Sequence, residues 1–383
     1  MPERVPLSVL DLSIFGSGSS ARSGLLASLQ LARTVEALGY RRYWASEHHL
    51  NPGVAGSSPH VLLASVAATT EHIRIGTAAT ILGNYRPLQV VEAAGTVAAL
   101  HPGRFDLGIG RSGTPGPPSQ AGAPVAPRES GRVANRIVDG IIVPPKFVHR
   151  PDRAKAALQA KLLERVPGDD GRFDNDLQTV LDLIAGRYVS DGGDEVKATP
   201  GESEEIEVWV HGSSAGPSAR IAGRRGLPFG ASYQFAPATV LDAVEEYRAH
   251  FRPSERLAAP YVIVSADVLV APDAAEAAEL ALGFDAWVLS LREGRGGILY
   301  PSPEEARLSP LSASKTAIVQ DRLDTRFVGD PATVVAQLEA LQAATNADEL
   351  LIATHTHDPA HARRSFRLLA EQWHEGAGTP FGG

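Results

Sequence analysis

The sequence predicts an α/β fold, a (β/α)8 TIM barrel with insertions in the βα loops. Three observations carry that prediction. About eight short apolar strands alternate with helical stretches along the chain, the count a closed barrel needs. The strands read as near-continuous apolar runs, as buried parallel strands do. Polar and titratable residues gather where strands end, which in a barrel is the rim that carries function. A doubly wound open sheet is the competing arrangement, and no repeat at a solenoid period is visible.

The elements follow in order. "VPLSVLDLS" (Val5–Ser13) is an apolar strand, followed by the amphipathic helix "SARSGLLASLQLARTVEALG" with Ser20 as N-cap and Gly39 at its C-terminal end. "YRRYWAS" is the second strand. "SPHVLLASVAATT" is a helix capped by Ser58, with Pro59 in its first turn. The β-branched run "IRIGTAATI" reads as a strand, "PLQVVEAAGTVAAL" as a helix and "RFDLGIG" as the fourth strand. Gly113 to Arg128 is loop-like, rich in Pro, Gly and Ala; helical stretches around Asp152–Arg165 and Asp174–Tyr188 and an acidic loop follow. Alternation resumes with strand "IEVWVHG", helix "SARIAGRRG", strand "FGASYQF" and helix "PATVLDAVEEYRAHF". Strand "YVIVSADVLVA" precedes one helix, "DAAEAAELALGFDAWVL", and a loop-like excursion from Arg292. Helix "PATVVAQLEALQAAT", strand "ELLIATH" and helix "DPAHARRSFRLLAEQW" close the chain. Residues 1–383 read as a single domain, with variable insertions at 113–207 and 292–314 near the mouth of the barrel.

Composition excludes several classes of function. Cysteine is absent among 383 residues, so disulfides, iron–sulfur ligation and thiol catalysis are excluded. The net charge of −8, with both signs interspersed, argues against nucleic acid as a partner. No apolar run approaches a membrane span and the N-terminus lacks a signal-peptide pattern, so the expectation is a cytoplasmic protein.

The second strand runs into "EHH", placing Glu47, His48 and His49 at the rim. Histidine titrates near neutrality and serves proton transfer. "GIGRSG" (Gly108–Gly113) imitates a dinucleotide fingerprint, but the prolines of "TPGPPSQAGAP" follow where the motif needs a helix with free amides. Arg111 leaves that strand end as a candidate phosphate ligand or as an ordinary surface ion-pair partner.

"LGYRRYWASEHH", "IRIGTAATILGNYRPLQVVE", "PGRFDLGIGRSG" and "VWVHGSSAGPSARIAGRRGLPF", in this order, resemble the bacterial luciferase-like flavin-dependent monooxygenase family. The likeness is strongest over Val5–Arg111, clear over Val208–Phe251 and Phe327–Trp373, and weak over the insertions. It implies an FMN-dependent monooxygenase that oxygenates a small or medium organic substrate through a flavin C4a-peroxide. His48 would be the base beside the flavin, with Glu47 and His49 supporting it in the catalytic group. A cis peptide between Ala78 and Ala79 would lie under the ring. Arg111, Ser213, Ser214 and Ser218 would hold the FMN phosphate. The family's reactive cysteine is Gly110 here, which speaks against light emission and leaves oxygenation open. The resemblance also implies a homodimer. No separate NAD(P)H site is evident, so a flavin reductase is expected to deliver the reduced FMN.

Such oxygen chemistry needs a dry apolar pocket, for which Phe15, Trp44, Tyr85 and Tyr233 are candidates beside the bland reading of core packing. Three alternatives stand beside this one. A deazaflavin could replace FMN and transfer hydride without dioxygen. A relative that binds flavin without catalysis is the second. A metal enzyme is the third, since "HTHDPAH" offers His355, His357, Asp358 and His361. Metal-dependent barrels carry their H-x-H on the first strand, which here ends "LDLS", and Asp358 and Pro359 read better as a helix start. No metal is expected. His60 and His72 sit at helix edges and read as structural.

Overall fold

The computed structural model describes residues 3–111, 134–147, 153–165 and 172–375. The loop expected over Gly113 to Arg128 lies outside them. Eight parallel strands close a barrel: β1 (Leu7–Asp11), β2 (Arg42–Ala45), β3 (Arg74–Thr77), β5 (Phe105–Gly110), β8 (Ile206–Gly212), β9 (Phe229–Ser232), β10 (Val262–Val270) and β12 (Glu349–Ala353). They pair in chain order, and β12 returns to β1 with Leu350 opposite Leu7. The remaining numbers belong to β4 (Thr80–Ile81), which resumes the β3 path after a cis Ala78–Ala79 peptide, to the β6 (Arg136–Val138) and β7 (Ile141–Val143) hairpin, and to β11 (Phe327–Gly329), paired with the end of β10.

Helices cover the barrel: α1 (Ala21–Ala37), α2 (Pro59–Ala67), α3 (Pro87–Leu100), α4 (Arg153–Leu162), α5 (Phe173–Ile184), α6 (Pro217–Arg224), α7 (Val240–His250), α8 (Ala274–Leu280), α9 (Phe284–Arg292), α10 (Pro303–Leu308), α11 (Ala313–Asp324), α12 (Pro331–Thr345) and α13 (Pro359–Glu375). Ser20 caps α1 by accepting from the Ser23 amide, and the chain leaves through Gly39 at φ +77. Ser58 precedes α2 without a side-chain cap bond, so Pro59 alone marks that start.

The structure corrects three readings of the sequence. The single helix expected over "DAAEAAELALGFDAWVL" is two, α8 and α9, because Gly283 turns the chain at φ +86. The loop-like excursion from Arg292 contains α10, closed by a capping box between Ser302 and Glu305, and is followed by α11. The β6–β7 hairpin went unread, although Asp139 and Gly140, at φ +48 and +87, are an Asp-Gly hairpin turn.

Alternation along the strands builds the barrel interior in layers. Arg42, Trp44, Ser46 and His48 follow at period two. At the bottom, Arg42 donates to Asp106 (2.8 Å), Glu207 (2.9 Å) and Glu349 (3.1 Å). Burial alone would lower the Arg42 pKa, but the three carboxylates raise it above its ordinary value. Above lies a plug of Trp44, Trp209, Ile263 and Leu351, the two indoles edge to face at 4.9 Å. Polar side chains return above the plug, at the level of Ser46, His211 and Ser265, where a cavity opens.

Candidate active site

The cavity has a volume of about 780 Å³ and sits at the C-terminal rim. His48 lines it, beyond the end of β2, its backbone amide held by the Gly56 carbonyl (2.8 Å). Its ring makes no hydrogen bond among the described residues. Burial lowers its pKa to about 4, with His49 and His355 adding to the effect and the Glu47 charge opposing it. The imidazole is therefore neutral at physiological pH.

Glu47 and His49 are adjacent in sequence but do not line the cavity. Glu47 is buried behind it and accepts from His49 Nε2 (2.8 Å), from the Ile81 amide (2.9 Å) and from Asn84 Nδ2. Arg165, from the turn after α4, donates in turn to Asn84. Glu47 thus braces the segment that carries Ala78, Ala79 and Ile81, all of which line the cavity. The cis peptide expected between Ala78 and Ala79 is present. Gly110 lies against this segment: a Cβ there would stand 3.1 Å from Ala79 Cβ and 3.2 Å from Ile81 Cδ1. Gly110 thus lets the platform seat tightly on β5.

The neighbouring strands β5 and β8 supply an anion-binding arrangement. Arg111 follows β5, while Ser213, Ser214, Gly216, Pro217 and Ser218 form the β8–α6 turn and the first turn of α6; all line the cavity. Free amides at a helix start, two hydroxyl-rich turns and a guanidinium suit a phosphate. The flat alanine platform suits a planar ring. The residues present therefore fit FMN or a deazaflavin carrying a phosphate.

None of the four candidate pocket aromatics lines the cavity. Trp44 is in the plug and donates to Asp106 (2.9 Å). Tyr233 is buried, stacks on Phe327 and donates to the Ile142 carbonyl (2.8 Å), tying down the β6–β7 hairpin. Phe15 packs against Gly24 of α1, and Tyr85 meets His60 edge to face. The packing of alternate faces claimed them first. The apolar wall comes instead from Leu10, Leu12, Val54, Trp287, Val288 and Leu291, with Phe147 and Phe235 also lining the cavity. The α9 residues escaped notice because the sequence offered one long helix, without the break at Gly283 that aims Trp287 inward. His211 also escaped. Its ring lies between Gly108 and Gly230, where any Cβ would come within 2.6 and 2.3 Å of its nitrogens, and burial lowers its pKa to about 4.

Two histidines of "HTHDPAH" are engaged elsewhere. His355 Nδ1 faces Asp267 at 2.9 Å, and His357 Nε2 meets the Ser17 carbonyl at 3.0 Å. Asp358 accepts from the Ala360 amide at the start of α13. Among the described residues no group of three or more metal-ligating side chains converges. His60 neighbours Thr80 and stacks on Phe105, and His72 lies exposed beside Glu71.

A parallel barrel with a neutral histidine, a non-proline cis peptide and an arginine beside a serine-rich helix start at its rim is a scaffold whose residues suit a flavin-type cofactor. The family model for luciferase-like monooxygenases matches residues 6–133 and 177–348. The chain belongs to that family. It is 32% identical over 367 residues to a luciferase-like monooxygenase of Escherichia coli, covering 96% of each chain. The solved structure of apo-MsnO8 aligns with a TM-score of 0.77 and 28% identity over 97% of this chain and 98% of that one. Two more distant structures share the fold. The oxygenating constituent of Pseudomonas putida 3,6-diketocamphane monooxygenase, in complex with FMN, has 17% identity and a TM-score of 0.66 over 98% of this chain and 100% of that one. An F420-dependent secondary alcohol dehydrogenase has 13% identity and a TM-score of 0.62 over 96% and 98%.

Proposed function

We propose that the protein is a two-component, FMN-dependent monooxygenase that oxygenates a small organic substrate. The observation that carries this reading is His48, a neutral imidazole without a protein partner among the described residues, on a cavity that also holds the Ala78–Ala79 platform. Reduced FMN, when bound, supplies the electron pair that activates dioxygen. Arg111, the serines of the β8–α6 turn and the α6 amides bind its phosphate. Ala78 and Ala79 let the ring approach the backbone, since larger side chains would hold it away. Leu12, Val54, Trp287 and Val288 exclude water from the reacting centre. His48 accepts or returns the proton at its free ring nitrogen, and Glu47 and His49 act as positioning residues behind it. A separate flavin reductase delivers the cofactor, and a homodimer is the expected assembly.

The purified protein supplied with photoreduced FMN, dioxygen and a substrate panel should consume oxygen in step with product. It should not oxidise NADH unaided, and rapid NADH oxidation would overturn the two-component reading. The FMN complex of the diketocamphane enzyme favours FMN, and the F420-dependent neighbour makes deazaflavin the second reading. Parallel titrations with FMN and with F420 separate the two: tight binding of F420 alone would replace the oxygenase reading with hydride transfer.

A further inference from the structure

We infer that Arg322 is a substrate-recognition residue, and that the cavity takes a substrate with an apolar body and a carboxylate or similar oxyanion head. The inference rests on the flavin reading above and adds the substrate class to it. Arg322 comes from α11, is only 5% exposed, and lines the cavity. Its Nη2 donates to Asp267 Oδ2 at 2.6 Å. Among the described residues its Nε and Nη1 make no hydrogen bond, and neither is one of the sealed buried atoms. A buried guanidinium on a cavity wall, with one nitrogen committed and donors to spare on the others, can hold a second oxyanion.

Charge accounting points the same way. Asp267 is the carboxylate beside Arg322, and Arg326 is also buried close by. Arg326 is turned elsewhere, donating to the carbonyls of Ala281 and His355. One carboxylate thus stands among two guanidiniums, and buried charge of one sign calls for a counter-ion. Among the described residues that line the cavity, Lys146, Arg292 and Arg322 stand with one carboxylate, Asp321. Arg292 and Asp321 satisfy each other through two parallel contacts of 2.5 and 2.7 Å. That leaves Lys146 and Arg322 as cations on the cavity wall in a chain whose net charge is −8. Arg111 follows β5, whereas Arg322 is held from β10, three strands further round the barrel. Trp287, Val288 and Leu291 of α9, which packs against α11, line the same cavity as Arg322. These walls suit an apolar body, and the fork of Arg322 suits its anionic end.

The test uses the full chain, with and without FMN, titrated with hexanoate and with methyl hexanoate by calorimetry. The unaltered protein should bind the acid at least tenfold more tightly than the ester. Arg322→Gln should bring that ratio close to one while leaving FMN affinity within about twofold. Arg111→Gln should do the reverse, weakening FMN at least tenfold and keeping the acid preference. Equal binding of acid and ester by the unaltered protein overturns the inference, and needs no variant to fold. So does an acid preference that survives in Arg322→Gln, or a loss of FMN affinity in Arg322→Gln as large as in Arg111→Gln, which would assign the guanidinium to the cofactor. If FMN fails to bind while the acid preference holds, the flavin reading falls and the anion site stands.

Discussion

His48 owes its place to alternation and its protonation to burial. Because its pKa is lowered to about 4, it is already neutral across the usual assay range, and its own titration should leave activity flat from pH 8 down to about 5. Replacing it with Ala should reduce turnover by roughly 10²–10⁴-fold with FMN affinity nearly unchanged, as read by stopped-flow oxygen consumption and by flavin titration. Unchanged turnover would remove it from the mechanism. Glu47 predicts a different pattern. Its removal strands the Ile81 amide and the Asn84 side chain, so Glu47→Ala should cost roughly 2–3 kcal/mol in urea unfolding. It should also impair FMN binding, because the platform above it loses its brace.

The strands make the larger pattern intelligible. Two inward faces pass from a charged bottom through a bulky middle to a polar top: Arg42, Trp44, Ser46 and then His48 on β2; Glu207, Trp209 and His211 on β8. The strand therefore ends in titratable groups because its next inward positions have left the packed plug and reached the cavity. The loops are set by equally local constraints. Gly53 pairs through its amide with the Gly297 carbonyl (2.8 Å), and a Cβ there would fall 1.9 Å from the Ile298 carbonyl oxygen. This contact straps the segment after α9 onto the loop that follows His48. Gly53→Ala should force them apart, destabilising by roughly 1–3 kcal/mol in a chemical melt and raising the substrate KM. The Asp-Gly turn and the Ser302–Glu305 box were legible signals, whereas the end of α8 depended on noticing one glycine within an otherwise helical pattern.

The closed barrel sums these layers. Arg42 binds carboxylates from three strands, so Arg42→Met should leave buried acids unpaired and lower stability by about 3–5 kcal/mol. The pH dependence of stability has two windows. His48, His60 and His211 are each lowered from 6.5 to about 4 by burial. The unfolded chain binds their protons first as pH falls, so stability present above 6.5 should be lost between about 6.5 and 4. Burial works to raise the pKa of Asp267, but His355, Arg322 and Arg326 hold it at about 2. Its contribution is present above 3.8 and should disappear as pH falls toward 2. Thermal melts from pH 8 to pH 2 should show both losses, and a curve flat between 6.5 and 4 would contradict the neutral buried histidines.

Periodicity and punctuation in the chain were enough to reach a barrel of alternating strands and helices, and the run of polar residues after β2 was enough to place His48 on its rim. Those signals are local: a two-residue alternation, a cap, a glycine. The identity of the cavity wall was not local. Trp44 and Tyr233 read as pocket residues and Trp287 did not, yet the closed barrel puts the first two in the packed interior and Trp287 on the cavity wall. The pairing of Arg322 with Asp267 joins residues 55 positions apart, on α11 and β10. No spacing in the chain announces such a contact, because which charges meet in a barrel depends on how far round it each strand stands.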